Sequence, residues 1–334
     1  MGITSSGNVS GIQERRRLSV QAFFARWEWV LFLLIAIVFT INANIAPYFL
    51  KPSVLFDMTF NFMEKGLIAL VLTFIIITGQ IDISVASNMA MSAVITSILY
   101  QMGVNIWFSV LLGLLAGTVG GFFNGFIITK VNIHSMVVTL ATQSLFRGIA
   151  YVLLGDRAVT GFPVEFMNLG QGYVGDSPVP LQLVVFVILA VVCGLVLHGT
   201  KYGRYMYAIG NNETAARFSG VPVDRLKMVL FTLAGLVSAM AGILFISRVG
   251  VCRPDLGEAF LFEIVTIVLL GGVSIYGGEG SIIGVVLSLF LIGLTRYGMI
   301  LVNIRAPVIN IVIGSMLIIA VLVPKLTHFV ARES

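Results

Sequence analysis

Charge is scarce in this chain. Of its 334 residues, 10% are Asp, Glu, Lys or Arg and 58% are hydrophobic, whereas soluble domains carry about a quarter charged and about half apolar residues. That deficit excludes an ordinary soluble domain and points to an integral membrane protein. Cysteine is nearly absent: Cys193 lies in an apolar run and Cys252 in a connection, so no disulfide framework can be written. The three histidines, His134, His198 and His328, are too scattered for a zinc site, and no nucleophile triad or carboxylate pair is apparent. No Gly-Lys dipeptide occurs, which rules out a phosphate-cradling Walker loop. The chain therefore reads as neither an enzyme nor an ATPase, and no metal or cofactor is expected. Its net charge of +5 does not imply nucleic acid, because the basic residues fall mostly in short connections between apolar segments, where they set orientation.

What is present is a series of apolar runs: Trp29 to Ala46, Gly66 to Gly79, Val85 to Tyr100, Ile106 to Thr129, Met136 to Leu154, Leu181 to Leu197, Leu226 to Ser247, Phe260 to Ile275, Ile282 to Val302 and Val308 to Val323. Crossing about 30 Å of hydrocarbon takes about 20 residues. The expected fold is an all-α membrane protein, a bundle of about ten transmembrane helices. Residues 1–27 form a polar tail carrying Arg15-Arg16-Arg17, 28–325 the membrane domain, and 326–334 a second tail. The first tail is too long and polar to be a cleaved signal peptide, and Trp27 and Trp29 resemble an interfacial belt. With the amino terminus inside, Lys130, Lys201, Arg204, Arg217, Arg225, Lys227, Lys325 and Arg332 join the basic tail in the cytoplasm. Lys51, Lys65, Arg157, Arg248, Arg253 and Arg305 lie outside, and Arg147 and Arg296 fall within spans. The bias favours both termini inside.

The connection over 199–227 is the one sizeable polar segment between apolar blocks. Asn211 or Asn212 can cap a short helix, Glu213 sits in its first turn, and Gly220 followed by Pro222 stops it. A helix of about two turns is marginal alone in water and needs something to dock against. In the fourth span Gly113, Gly117, Gly121 and Gly125 form an i, i+4 ridge for close helix approach. Ala234, Ser238, Ala241 and Gly242 form a similar one in the seventh.

Two segments read as interrupted helices or, alternatively, as tight turns at the cytoplasmic surface: 79–88 and 271–281. In a bilayer, irregular backbone survives only where protein or a watery cavity satisfies it. Ionisable residues inside spans need a reason. Arg147, following Gln143, either lines a polar path or pairs with a buried carboxylate; Glu263 opens the eighth span; Arg296 can snorkel to the outer interface. The candidates for a path are Asp82, Ser84, Asn88, Asn124, Gln143, Arg147, Glu263 and Ser274. On the outer face Arg157, Glu165, Asp176, Arg253, Asp255 and Glu258 make two polar patches able to receive a soluble partner.

Three motifs carry a resemblance. Gly79-Gln80-Ile81-Asp82-Ile83-Ser84-Val85 resembles the signature Gly-Ile-Asp-Leu-Ser-Val-Gly, with Gln80 inserted and Ala86 in place of the last glycine. Asn211 to Gly220 resembles Asn-Glu-Glu-Ala-Ala-Arg-Leu-Ser-Gly, and Leu269 to Gly284 resembles Leu-Gly-Gly-(x)3-Phe-Gly-Gly-x-Gly-Ser-Ile-Ile-Gly. These belong to the membrane permease subunits of bacterial ABC importers for simple sugars, of the ribose, xylose, rhamnose and autoinducer-2 type, and the likeness covers about Gly66 to Val323. It implies a multi-pass permease of the bacterial inner membrane that moves a small sugar-like solute by alternating access. It further implies that Asn211, Glu213, Ala215, Ala216, Arg217 and Gly220 form a coupling helix seated in a cytosolic ATP-binding subunit. A periplasmic or extracellular sugar-binding protein would deliver solute to the outer patches, and a second permease subunit would complete the path. The competing reading is an ion-gradient-driven secondary transporter, favoured by Asp82 beside a broken helix, since a buried carboxylate can carry a proton.

Overall fold

The computed structural model describes residues 27–46 and 48–333. The tail expected over 1–26, with its basic run, lies outside the described residues, as do the side chains of Lys325 and Arg332. Each of the ten apolar runs contains a helix, although the run Phe260 to Ile275 is helical only as far as Leu270. In chain order the helices are α1 (Trp27–Ile45), α2 (Pro52–Asp57), α3 (Met63–Ile77), α4 (Val85–Gln101), α5 (Ile106–Phe126), α6 (Ser135–Leu154), α7 (Val164–Gln171), α8 (Leu181–Gly199), α9 (Lys201–Asn211), α10 (Glu213–Phe218), α11 (Val223–Val249), α12 (Phe260–Leu270), α13 (Ile282–Leu301) and α14 (Ala306–Glu333). Two-residue strands β1 (Val159–Thr160) and β2 (Val251–Cys252) pair antiparallel.

About ten crossings were expected; six helices are long and apolar enough to cross a membrane, or seven if α2 with its following 3-10 turn and α3, bent by 56°, count as one span. The shortfall has a physical cause in α4. Its Ser87, Asn88, Ser92, Thr96 and Ser97 are all buried, and Thr96 and Ser97 donate back to the carbonyls of Ser92 and Ala93. A helix enclosed by protein does not need the uniformly apolar surface that lipid demands. The centre of the bundle is thus α3, buried along its whole length, together with α4 and α11. α1 and α8 are rim helices, with 11% and 22% of their apolar windows buried.

Glycine sets how closely α5 approaches this centre. A Cβ at Gly121 would stand 2.3 Å from the Phe231 carbonyl oxygen and 2.8 Å from the Gly235 Cα, and one at Gly113 would stand 2.9 Å from the Ser92 carbonyl oxygen. The ridge therefore faces α11 at one end and α4 at the other. On α11 the principal counterpart is Gly235, a position absent from the ridge expected there. Gly242 instead meets α4, where a Cβ would lie 2.5 Å from the Met89 carbonyl oxygen.

At the end of the bundle where α3 begins, Lys65 and Arg248, expected in connections, and Arg296, expected within a span, are drawn into ion pairs. Lys65 pairs with Glu263, Arg296 pairs with the same carboxylate, and Arg248 Nε meets Glu64 Oε1 at 2.6 Å. Arg296 is held in this cluster rather than snorkelling, because Glu263 lies across from it on α12.

Gly121→Ala should lower stability by about 1–3 kcal/mol, the cost of overpacking a closed interface. Gly148→Ala, where an added Cβ meets nothing within 4 Å, should be neutral or stabilising by up to about 1 kcal/mol. Thermal unfolding of the purified chain in detergent compares the two.

Candidate functional site

The polar connection builds two helices, one more than its sequence advertises. α9 starts at Thr200, whose hydroxyl accepts from the Tyr202 amide at 3.2 Å, and it buries Gly203, Met206 and Ile209. α10 follows after a single extended residue, Asn212, whose side chain accepts from the Ala215 amide at 2.9 Å. Asn212 is therefore the cap, while Asn211 donates to the Tyr207 carbonyl at 2.9 Å. Gly220 ends the unit at φ +81°, a left-handed conformation that costs glycine little. Charges then brace α10 against the start of α11. Arg217 meets both oxygens of Asp224 at 2.9 and 2.7 Å, and Lys227 meets Glu213 at 2.6 Å. Hydrogen bonding to Asp224 raises the Arg217 guanidinium above its ordinary pKa, so it stays charged at any physiological pH.

The outward surface of α10 carries Ala215, Arg217 and Phe218; Ala216 faces inward and is 5% exposed. Phe218 is 89% exposed, and sequence reasoning passed over it. The available signal was a lone large aromatic beside the stop of a polar helix.

Both helix interruptions come to this same end of the bundle and meet there. The Gly278 amide donates to the Ile77 carbonyl at 2.9 Å, and Gly277 packs on Gly79. The end of α9 closes the junction: a Cβ at Gly210 would stand 1.9 Å from the Ile77 oxygen and 2.3 Å from the Gly278 nitrogen. Tyr207 donates to the Gly280 carbonyl at 2.7 Å. Segment 271–281 is an exposed turn, with Tyr276 80% exposed, and Ser274 lies in it, accepting from the Tyr276 amide.

The remaining path candidates fall in three places. Asp82, Ser84, Asn88 and Asn124 line the junction of α4, α5 and α11. Asn124 Nδ2 donates to Ser84 Oγ at 2.8 Å, and Ser84 Oγ donates to Asp82 Oδ1 at 2.7 Å. Asn88 Nδ2 donates to the Gly117 carbonyl at 3.0 Å. Oδ1 of Asn88 and Oδ1 of Asn124 are buried without a partner, an arrangement that costs stability unless water or a ligand reaches them. Gln143 is half-buried on α6, where Arg147 donates to the carbonyls of Pro254 and Leu256 at 2.6 and 2.8 Å. The guanidinium thus anchors an outer loop through its backbone, an option sequence reasoning had not weighed. Glu263 is separate again, between Lys65 and Arg296.

At the opposite end of α8, β1 and β2 join the two connections expected to lie outside through Val159–Cys252 and Thr160–Val251. That pairing brings the connection after Arg157 beside the one that carries Arg253, Asp255 and Glu258, where Arg253 and Asp255 pair at 3.0 Å, while Glu165 lines a separate cleft with Tyr100 and Trp107. Asp176 lies apart, in a cleft with Asp57 and Tyr173, whose hydroxyl donates to Asp57 at 2.7 Å.

Residues 54–321 match the family described as branched-chain amino acid transport system / permease component. The chain belongs to this permease family. It is 36% identical over 301 residues to the autoinducer 2 import system permease protein LsrD of Escherichia coli K12, covering 88% of this chain and 91% of that one. The protein of the same name from Shigella flexneri gives the same figures. That from Photorhabdus laumondii is 35% identical over 88% of this chain and 90% of its own. No solved structure matches the chain. The protein is accordingly a multi-pass permease component of a transport system, and an ion-driven carrier is not favoured.

Removing one member of a buried ion pair leaves its partner uncompensated, at a cost of about 3–5 kcal/mol. The permease with Glu263→Gln should lose about that much, because Lys65 and Arg296 both lose their carboxylate. Unfolding monitored by circular dichroism tests this, and Lys65→Met combined with Glu263→Gln should recover part of the loss.

Proposed function

We propose that this permease and a second permease subunit form the path for a small sugar-like solute of the autoinducer-2 class, moved by alternating access. The solute class rests on the import systems named for the relatives. The hydroxyl and amide groups of Ser84, Asn88 and Asn124, two of which keep a free acceptor among the described residues, suit a polyhydroxylated molecule.

The chain crosses the bacterial inner membrane ten times, with α4, α12 and α14 completing the spans. Both termini are cytoplasmic. The Trp27 indole donates to the Leu270 carbonyl at 2.6 Å, which supports putting the amino end beside the α9–α10 face. Burial of Lys65 and Arg248 in ion pairs takes two cations from the outer tally and sharpens the inward bias of the rest.

The single observation that carries this reading is a capped, charge-braced α10 with Phe218 exposed at its tip, joined directly to the meeting point of both helix interruptions. An exposed aromatic anchor fits a pocket on a partner, here the cytosolic ATP-binding subunit. Asn211, Glu213, Ala215, Arg217 and Gly220 shape and present the lever, and Ala216 seats it. Closure of the ATP-binding subunits moves α10, and Gly210 against Ile77 and Gly278 passes the displacement to α3 and α13. Outside, Arg157, Glu165, Asp176, Arg253, Asp255 and Glu258 receive a periplasmic solute-binding protein. The Asp82 carboxylate serves as the turn-forming acceptor for Ser84, not as a proton carrier.

Phe218→Ser should weaken retention of the ATP-binding subunit by about 30-fold, the size of an anchor loss of about 2 kcal/mol. Gly210→Val should keep that subunit bound while uptake per ATP hydrolysed falls in proteoliposomes. Unchanged subunit retention by Phe218→Ser, or uptake by the permease alone under an ion gradient, overturns the reading.

A further inference from the structure

Helix α8 exposes Val187, Ile188, Val191, Val192 and Leu195 as one apolar stripe. With 19 residues, it is about 28 Å long, the thickness of the hydrocarbon core. Immediately beyond its end the surface changes character: Lys201, Tyr202 and Arg204 are exposed at the start of α9, while Gly203, Met206 and Ile209 on its other face are buried. Lys201 Nζ lies 5.5 Å from the Tyr202 ring centroid. Among the described residues neither Lys201 nor Arg204 has an ion-pair partner, whereas Arg217 and Lys227 are paired.

We propose that the first turn of α9 is a binding site for the headgroup of an anionic phospholipid, with the acyl chains lying along the α8 stripe. Three features favour a lipid. The stripe fixes depth, so the two cations stand at headgroup level. Tyrosine beside Lys and Arg is the side-chain set of the membrane–water interface. Unpaired cations there attract anionic lipid by about 1 kcal/mol each.

The site is also wired to the lever. α9 is 11 residues long, about 16 Å, and its far end is Gly210, packed on Ile77 and Gly278. A lipid that holds the first turn therefore fixes the platform from which α10 projects. The inference rests on α8 spanning the membrane and is independent of the solute and of the ATP-binding subunit.

The test is native mass spectrometry of the purified chain released from micelles containing phosphatidylglycerol and phosphatidylcholine. The wild-type chain should retain phosphatidylglycerol preferentially. K201Q/R204Q should lose that preference by about 25-fold, about fivefold per cation. K201R/R204K should keep it, which separates charge from folding, and so should K130Q/R225Q, which removes two other exposed cations. An unchanged preference in K201Q/R204Q overturns the site. An equal loss in K130Q/R225Q reduces it to general basicity, and displacement of the lipid by millimolar inorganic phosphate makes it a free-anion site. Retention of the ATP-binding subunit by Phe218→Ser is measured separately, so the two readings fail independently.

Discussion

A single main-chain hydrogen bond, from the Gly278 amide to the Ile77 carbonyl, joins parts of the chain that are two hundred residues apart. It satisfies a carbonyl at the end of α3, where the last turn of a helix leaves carbonyls that have no helical partner. A bilayer cannot solvate such groups, so protein must. The interruption at 271–281 supplies the donor, and Gly210 closes over the bond because any side chain there would overlap the Ile77 oxygen. Satisfying one helix end thus brings α3, α13 and α9 to a common point, and α10 hangs from that point.

The opposite half of the bundle is organised by a different force. Glu64, Lys65, Arg248, Glu263 and Arg296 draw four helices together through charge, in a region where an unpaired charge is costly. Between these two ends, α5 and α11 touch at Gly121 and Gly235, a contact of backbones that depends on the absence of side chains. A polar tie at each end and a close-packed middle suit elements that tilt as rigid bodies. The two ends of the bundle are linked by helices, not by flexible chain.

Much of the candidate site was legible. The short helix over 213–218 announced itself through Asn211 or Asn212, Glu213 and Gly220, since caps and stops act within a few residues of themselves. The glycine ridge on α5 was legible for the same reason: its period is local. Harder to see were the roles of Arg147 and Phe218. Arg147 bonds to carbonyls at 254 and 256, and carbonyls are present in every residue, so no sequence pattern marks them. Phe218 is a lone aromatic in the polar connection, but the sequence does not say whether it is covered, and its 89% exposure marks it as a contact for something else.

Composition and periodicity by themselves determined the membrane class, the approximate positions of the apolar helices and the capped helix in the polar connection, because hydropathy, spacing and capping are short-range properties. Tertiary structure alone decided that Lys65 belongs to Glu263, that the two interruptions meet beneath Gly210, and that the polar helix α4 lies in the core. Those outcomes depend on groups 198 residues apart in the first case. Burial and pairing over such distances arise only when the helices pack, and no local pattern encodes which faces will touch.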